Sequence, residues 1–335
     1  MKILTIAISA YNKQDYIERC ITSLICKKLY LLEIIIVNDG STDNTSYIAH
    51  KFEKQYSESI IVIDKENGHQ GSCINKAIQL ATGKYFKMLD ADDYFSTEVL
   101  DNIITLLINT EVDMFVSGHL IKGKESVSIL PKKVKENIIY NHQDIDFHEL
   151  GMSNCLGMHG VAFRTNILQE YQIHLTENCS FSDAEYCYYP IKYCKTIIFV
   201  NNNLYIYQTE VEGQESSLKS EKVKNDAYRI CKRMIDDYIN YPILPITIRK
   251  NEEIVLGRCI NAYLGLYLLH FKTNKKENDR VDELLNLCKK KVPNLYNQLL
   301  KTHSRKIPFV YLYKKTKKSS YYVFKFLNYI YNWIK

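Results

Sequence analysis

Residues 84–93 read KYFKMLDADD, an apolar run that ends in three carboxylates within four positions. The run has the length and composition of a strand. Like charges so close repel unless solvent or a cation relieves them. Asp90 and Asp92 are two apart, so in an extended stretch they share a side. Carboxylate oxygens on one side suit a hard divalent cation, Mn²⁺ or Mg²⁺, and leave positions open for phosphate oxygens. An ion bridging a diphosphate would stabilise it as a leaving group. The competing reading is an acidic cluster drawn to the dipole of a helix starting at Ser96. The place at a strand end favours the metal.

The same strand signature recurs on either side, in ILTIAIS (3–9), EIIIVN (33–38), IIVID (60–64) and DMFVSGHL (113–120). Between these runs, 14–26, a segment capped by Ser41-Thr42-Asp43, 72–81 and 96–107 carry apolar residues at helical spacing. Strand-helix alternation requires crossover connections, so the expected fold is α/β: a Rossmann-like, mostly parallel sheet with helices on both faces. Ligands of such sheets lie beyond the C-terminal strand ends. That rule makes 9–12, 38–41, 64–68 and 90–93 one rim. On it Asp39 can accept from a base N–H such as a uracil imide, although Asn-Asp-Gly-Ser is equally good turn chemistry. Tyr11 can stack on a base or pack on its neighbours. No G-x-G-x-x-G follows the first strand, and the P-loop and G-x-S-x-G patterns are missing, which disfavours a dinucleotide fold, a P-loop NTPase and an α/β-hydrolase.

Further on, strands are expected at 196–200 and 203–207, and helices at 229–238, 252–271 and 279–290. The expected division is a catalytic domain over 1–215, a helical region over 216–305 and a basic aromatic tail over 306–335.

The 335 residues are 46% hydrophobic and 24% charged, a globular composition. Lys and Arg number 44 against 38 Asp and Glu. The last 35 residues hold nine of those cations and no acid, so the remainder is three charges negative. A nucleic-acid protein would spread its basic charge over a folded face, so no nucleic-acid partner is expected. Ten cysteines show neither a Cys-x-x-Cys pair nor zinc spacing and read as thiols. The apolar start is too short for a signal sequence, and no uncharged apolar run reaches the ~20 residues of a membrane span, so a cytoplasmic location is expected.

SAYNKQDYIERCITSL (9–24), EIIIVNDGSTDNT (33–45) and ENGHQGSCINKAIQLATGKYFKMLDADD (66–93), in that order and spacing, resemble the family 2 glycosyltransferases of the GT-A fold. The resemblance implies a UDP-sugar donor, a divalent metal at an Asp-x-Asp motif, and inversion by a single displacement. On that pattern Tyr11 and Asp39, with Ala10 beside them, hold the base. Lys65 and Asn67 lie near the nucleotide, Asp90 and Ala91 touch ribose or metal, and Asp92 is the metal ligand. A weaker, gapped resemblance to bacterial surface-polysaccharide enzymes covers MHGVAFRTNIL (158–168), FSDAEYCYYP (181–190) and LYIYQTEVEGQESS (204–217). The family usually has Glu-Asp at its base position; here Ser182-Asp183 stands there, and Gln214-Glu215-Ser216 interrupts a Gly-Gln-Ser run.

An acceptor hydroxyl that attacks the anomeric carbon needs a carboxylate within reach. Asp183 is the first choice and Glu185 the second, while Asp183 also reads as a helix cap. His159 is either near the phosphates or acceptor or a satisfied semi-buried histidine, and Arg164 is expected to pair with a surface carboxylate. The tail follows Lys314, Lys315, Lys317 and Lys318 with Tyr321, Tyr322, Phe324, Phe326, Tyr329, Tyr331 and Trp333, a pattern suited to the anionic inner leaflet; the alternatives are a C-terminal helix packed on the catalytic domain with a solvated basic face and, third, base stacking on RNA. The expected enzyme transfers a hexose or N-acetylhexosamine to a lipid-linked or oligosaccharide acceptor of a capsule or related surface glycan; a homo-oligomer is left open. The alternatives are an idle nucleotide-binding scaffold of a synthase complex and a sugar nucleotidyltransferase.

Overall fold

The computed structural model describes residues 1–335 apart from 123–126, 129, 132, 153–155, 210–219, 242, 271–273, 305–306, 318–319, 324, 327–328 and 330–335. Cys155, the 214–216 interruption and, in the tail, Lys318, Phe324, Tyr331 and Trp333 therefore lie outside the described residues. The chain divides into two units, Met1–Glu215 with Leu244–Glu252, and Ser216–Ile243 with Glu253–Lys335.

The first unit is built on one sheet. Its strands are β1 (Leu4–Ala10), β2 (Leu32–Asn38), β3 (Ile60–Asp64), β4 (Tyr85–Asp90), β5 (Tyr94–Phe95), β6 (Met114–Lys122), β7 (Val127–Ser128), β8 (Ile139–Asn141), β9 (Val161–Arg164) and β10 (Thr196–Gln208). Their spatial order is β3-β2-β1-β4-β9-β6-β10-β5, with β7 on β6 and β8 on β10. β1 is central to the first half, parallel to β2 in a register that sets Ala10 against Asn38, and parallel to β4 with Ser9 against Asp90. β2 pairs in parallel with β3. All seven residues of β2 are buried, as a β-branched run covered on both faces requires.

The parallel arrangement stops at β4. β9 enters antiparallel between β4 and β6, while β6 and β10 are parallel to each other. The sheet is therefore mixed, with all strands except the antiparallel additions ending on the same rim. The helices of this unit are α1 (Ile17–Thr22), α2 (Thr45–Gln55), α3 (His69–Leu80), α4 (Thr97–Ile108), α5 (Thr165–Glu170) and α6 (Asp183–Tyr188).

In this unit three elements differ most from the sequence reading. The helix expected over 14–26 is only α1, because the preceding residues are drawn into a loop stitched to the 41–45 turn. Thr42 N donates to Asn12 Oδ1 at 2.8 Å, Lys13 N to Thr45 Oγ1 at 2.7 Å and Gln14 N to Asp43 Oδ2 at 3.1 Å. The helix expected over 72–81 starts three residues earlier, at His69. The two strands expected at 196–200 and 203–207 are one, β10, whose register against β6 shifts between Val200 and Tyr205. That irregularity falls at Asn201, Asn202 and Asn203, the polar residues that divide the pattern in sequence.

The second unit is helical: α7 (Glu221–Asn240), most of α8 (Ile246–His270), α9 (Lys275–Lys291), α10 (Pro293–Leu300) and α11 (Phe309–Thr316). α7 is capped by the Ser220 side chain, and α9 by a capping box between Asn274 and Glu277. Lys224 of α7, almost wholly buried, pairs with Glu277 of α9. Among the described residues no helix is long and apolar enough to cross a membrane.

Candidate active site

The rim formed by the ends of β1 to β4 gathers most of the residues singled out in sequence. At the end of β2, Gly40 takes a left-handed φ of +73°, which turns the chain sharply after Asp39. Asp39 is buried, and its Oδ1 accepts from Lys65 Nζ at 2.7 Å and from Gly68 N at 2.9 Å. Asn67 Nδ2 donates to the Asp39 carbonyl at 3.0 Å. Asp39, Lys65 and Asn67 are thus one hydrogen-bonded group at the rim. Ala10 is buried at the end of β1, and its carbonyl accepts from Asp39 N at 2.8 Å. Tyr11 follows on the surface, 49% exposed, with a ring available for stacking.

At the end of β4 the carboxylates converge, though by a different route from the extended stretch expected. Asp93 N donates to Asp90 O at 3.0 Å, so the chain turns at Ala91 and Asp92. The turn brings oxygens of Asp90, Asp92 and Asp93 within 4.8 Å of one another. Ala91 is buried beneath them.

The three acids have different tasks. Asp93 is fully buried and committed: it accepts from Tyr205 Oη at 2.5 Å and from Gln208 N at 2.7 Å, both on β10. Burial nevertheless pushes its carboxyl up to about 7, with the Tyr205 and Gln208 bonds opposing. Asp90 accepts from Gln70 Nε2 of α3 at 2.6 Å. Dense protein around its carboxyl raises its pKa well above the usual range, and the charges of Asp93, Asp92 and Asp183 push the same way. Asp92 faces Lys13, whose Nζ lies 2.9 Å from Oδ2, while Arg19 Nη2 holds its carbonyl at 2.8 Å.

Asp90 and Asp92 therefore fit a divalent ion: hard oxygen donors, excess negative charge in one place, and a lysine already drawn to it. When bound, such an ion would offset the charge of a departing diphosphate.

Asp183 is the first residue of α6 and not its cap as the sequence also suggests; Ser182 holds the N-cap position and makes no side-chain capping bond. It is partly exposed, and its charge reaches Asp90. Two sets of contacts hold it there. Tyr186 Oη donates to Phe86 O at 3.0 Å, fastening α6 to β4. The loop before α6 lies directly on α3. Asn178 N donates to Gly68 O at 2.8 Å, Leu175 N to Asn75 Oδ1 at 2.8 Å and Asn75 Nδ2 to Leu175 O at 2.9 Å. A Cβ on Gly71 would stand 2.3 Å from Thr176 O, so α3 needs glycine there. Glu185, the second choice for a base, is fully buried and clamps this loop, accepting from Thr176 N at 2.6 Å and Thr176 Oγ1 at 2.9 Å. Its position is structural.

His159 precedes β9 and packs among rings: 5.1 Å from His119, 4.7 Å from Tyr205 and 4.9 Å from Tyr207, between centroids. Arg164 meets Glu111 at 2.9 Å and Asp113 at 3.4 Å, the surface pairing expected of it.

Sequence reasoning missed Lys13, Arg19, Gln70, Gly71 and Tyr205. Each acts on a partner remote in the chain, so no local spacing announces it. It also missed Lys87, which stands out in hindsight as one cation inside the apolar run of β4.

The sequence profile described as Glycosyl transferase family 2 matches residues 5–172. Among curated proteins, one described as uncharacterized glycosyltransferase EpsJ of Bacillus subtilis is 25% identical over 215 residues, covering 62% of this chain and 61% of that protein. The teichoic acid poly(glycerol phosphate) polymerase of Staphylococcus epidermidis is 25% identical over 295 residues, covering 86% of this chain and 39% of that protein. The chain thus spans less than two thirds of the length of either. Among solved structures, S. aureus TarS 1–349 in complex with UDP-GlcNAc superposes with a TM-score of 0.68 at 18% identity, covering 88% of this chain and 83% of that one. At that identity the likeness is one of fold.

Proposed function

The chain belongs to glycosyl transferase family 2, and on that premise we propose that it moves a hexose or N-acetylhexosamine from a UDP-sugar, with inversion, to a lipid-linked oligosaccharide of a bacterial surface glycan. It is a glycosyltransferase of the GT-A fold. The observation that carries the finer reading is the single rim on which Asp39, Lys65 and Asn67 adjoin an Asp90/Asp92 cluster within electrostatic reach of Asp183. The UDP-GlcNAc complex of the structurally similar TarS supports a UDP-sugar, and the teichoic acid polymerase supports a surface-glycan acceptor.

On this reading Tyr11 stacks on the base, and Asp39 accepts from it with help from Lys65 and Asn67. Asp90 and Asp92 would hold Mn²⁺ or Mg²⁺ against the diphosphate. Asp183 takes the proton as the acceptor oxygen bonds to the anomeric carbon and the carbon–diphosphate bond breaks, the electron pair leaving with UDP. Lys13 and Arg19 hold the Asp92 turn in position.

Membrane attachment belongs to the same proposal. The last turn of α11 holds Lys314 and Lys315, and beyond it Tyr322 is 61% exposed, Phe326 63% and Tyr329 71%. Exposed aromatics beside lysines suit the interface of an anionic inner leaflet, where a lipid-linked acceptor is found.

The test is a donor screen with Mn²⁺ over UDP-, GDP- and dTDP-sugars, following nucleotide release with and without a membrane extract. Release of UDP from one donor, abolished by EDTA and raised by the extract, is expected. UDP binding without release from any donor would sink the transfer reading.

A further inference from the structure

We propose that the ring faces of His159 and Tyr207 form the platform on which the acceptor's terminal sugar stacks, an inference that rests on the transfer reading above. The order of strands supports it. Asp39, Lys65 and Asn67 lie at the ends of β2 and β3, and the carboxylate cluster at the end of β4. β9, β6 and β10 follow on the opposite side of β4. By the pairing of β9 with β4 and β6, His159 lies just beyond the strand at the same rim. Tyr207 is on β10 at that rim, two residues past Tyr205, which pairs with His119. A nucleophile in a single displacement approaches opposite the leaving group. With the nucleotide over β2 and β3 and the diphosphate at β4, that approach comes from the β9–β6–β10 side.

The rings are arranged in two levels. Tyr205 and His119 are buried; His159 and Tyr207 pack on them and are partly exposed. Tyr205 also links the platform to the cluster, since its hydroxyl donates to Asp93 and accepts from Asp90 N at 3.3 Å. The electron-rich face of an aromatic ring attracts the polarised C–H groups of a pyranose, and hydroxyl-rich edges remain free for water.

The turn that carries His159 is anchored from below. Lys87, fully buried on β4, donates to the carbonyls of His159 at 2.9 Å, Val161 at 3.2 Å and Met158 at 3.4 Å. Among the described residues its partners are these carbonyls and the faces of Phe95, Phe115 and Tyr205. A buried ammonium without a carboxylate is costly. What it secures is the main chain at His159, so Lys87 is a positioning residue for the platform.

The probes are octyl β-glucoside, octyl β-galactoside and octyl β-N-acetylglucosaminide, presented to the full chain loaded with UDP and Mn²⁺. Saturation-transfer NMR is expected to show the ring protons of at least one glycoside in contact with the wild type. His159→Ala and Tyr207→Ala should each weaken that glycoside by about tenfold, the scale of one lost stacking contact. UDP affinity and the melting temperature should stay close to wild type, and Tyr207→Phe, which keeps the ring, should retain binding. Lys87→Met should weaken the glycoside as His159→Ala does. Unchanged glycoside binding in both alanine variants, weakening of UDP in parallel, or no glycoside contact in the wild type would overturn the platform. Failure of the transfer reading is separate: it appears in the wild-type donor screen, before any substitution.

Discussion

At the scale of single residues, the three neighbouring acids show how environment divides one kind of side chain into different jobs. Asp93 is spent on Tyr205 and Gln208, so it is a brace; Asp90 and Asp92 keep oxygens for a ligand. Asp92→Asn should therefore lower metal-dependent UDP release by at least about a hundredfold with little change in melting temperature, because an electrostatic contact to the leaving group is lost and no packing is. Asp183→Asn should abolish transfer while UDP-sugar still binds, as equilibrium binding against turnover will show. Lys87 gives a pH signature. Burial lowers its pKa to about 7, with Cys187 opposing. The unfolded lysine keeps its proton to about pH 10. Between these values the unfolded state binds more protons, so native stability rises with pH, and the gain is missing below about 7. Denaturant unfolding of wild type against Lys87→Met should show the difference moving in favour of wild type by about 1 kcal/mol per pH unit from pH 7 to 9.

At the scale of elements, what the sequence reveals depends on how far apart partners lie. β1, β2, β3 and β4 each announce themselves by a continuous apolar run, and the rule that ligands sit at strand ends then locates Tyr11, Asp39 and the acidic turn. The antiparallel entry of β9 is not visible, since β9 is four residues long and its place is decided by β4 and β6, far away in the chain. The same holds for the seat of α6. Nothing near Asp183 in sequence says that its charge lies within reach of Asp90; its place follows from Tyr186 on Phe86 and from the loop lying on α3. Asp183 itself was legible only through likeness to a family. Gly71 is where helix and loop touch, so Gly71→Ala must push Thr176 away. We expect it to cost about 1–3 kcal/mol by overpacking, and to depress kcat more than the donor KM, because the displaced element carries Asp183 and not Asp39, Lys65 or Asn67.

At the scale of the whole molecule, charge is segregated: the last 35 residues are strongly basic and the rest mildly acidic. The exposed aromatics and lysines after α11 make attachment to anionic lipid an expected property of the second unit. Lys314→Glu combined with Lys315→Glu should reduce co-sedimentation with phosphatidylglycerol vesicles by at least about tenfold at moderate salt, and should leave binding to neutral vesicles alone. Equal loss on both would point to a folding defect. The brace on Asp93 also has a consequence in time. Tyr205 and Gln208 lie 112 and 115 residues beyond the carboxylate they hold. A ribosome adding 5–20 residues per second needs on the order of 10 s to synthesise that interval. During it β1 to β4 are complete and their parallel core can form, while Asp93 waits without its partners. The end of the rim that carries Asp39 can mature early in synthesis, and the acidic turn acquires its final shape only when the last strand of the sheet arrives.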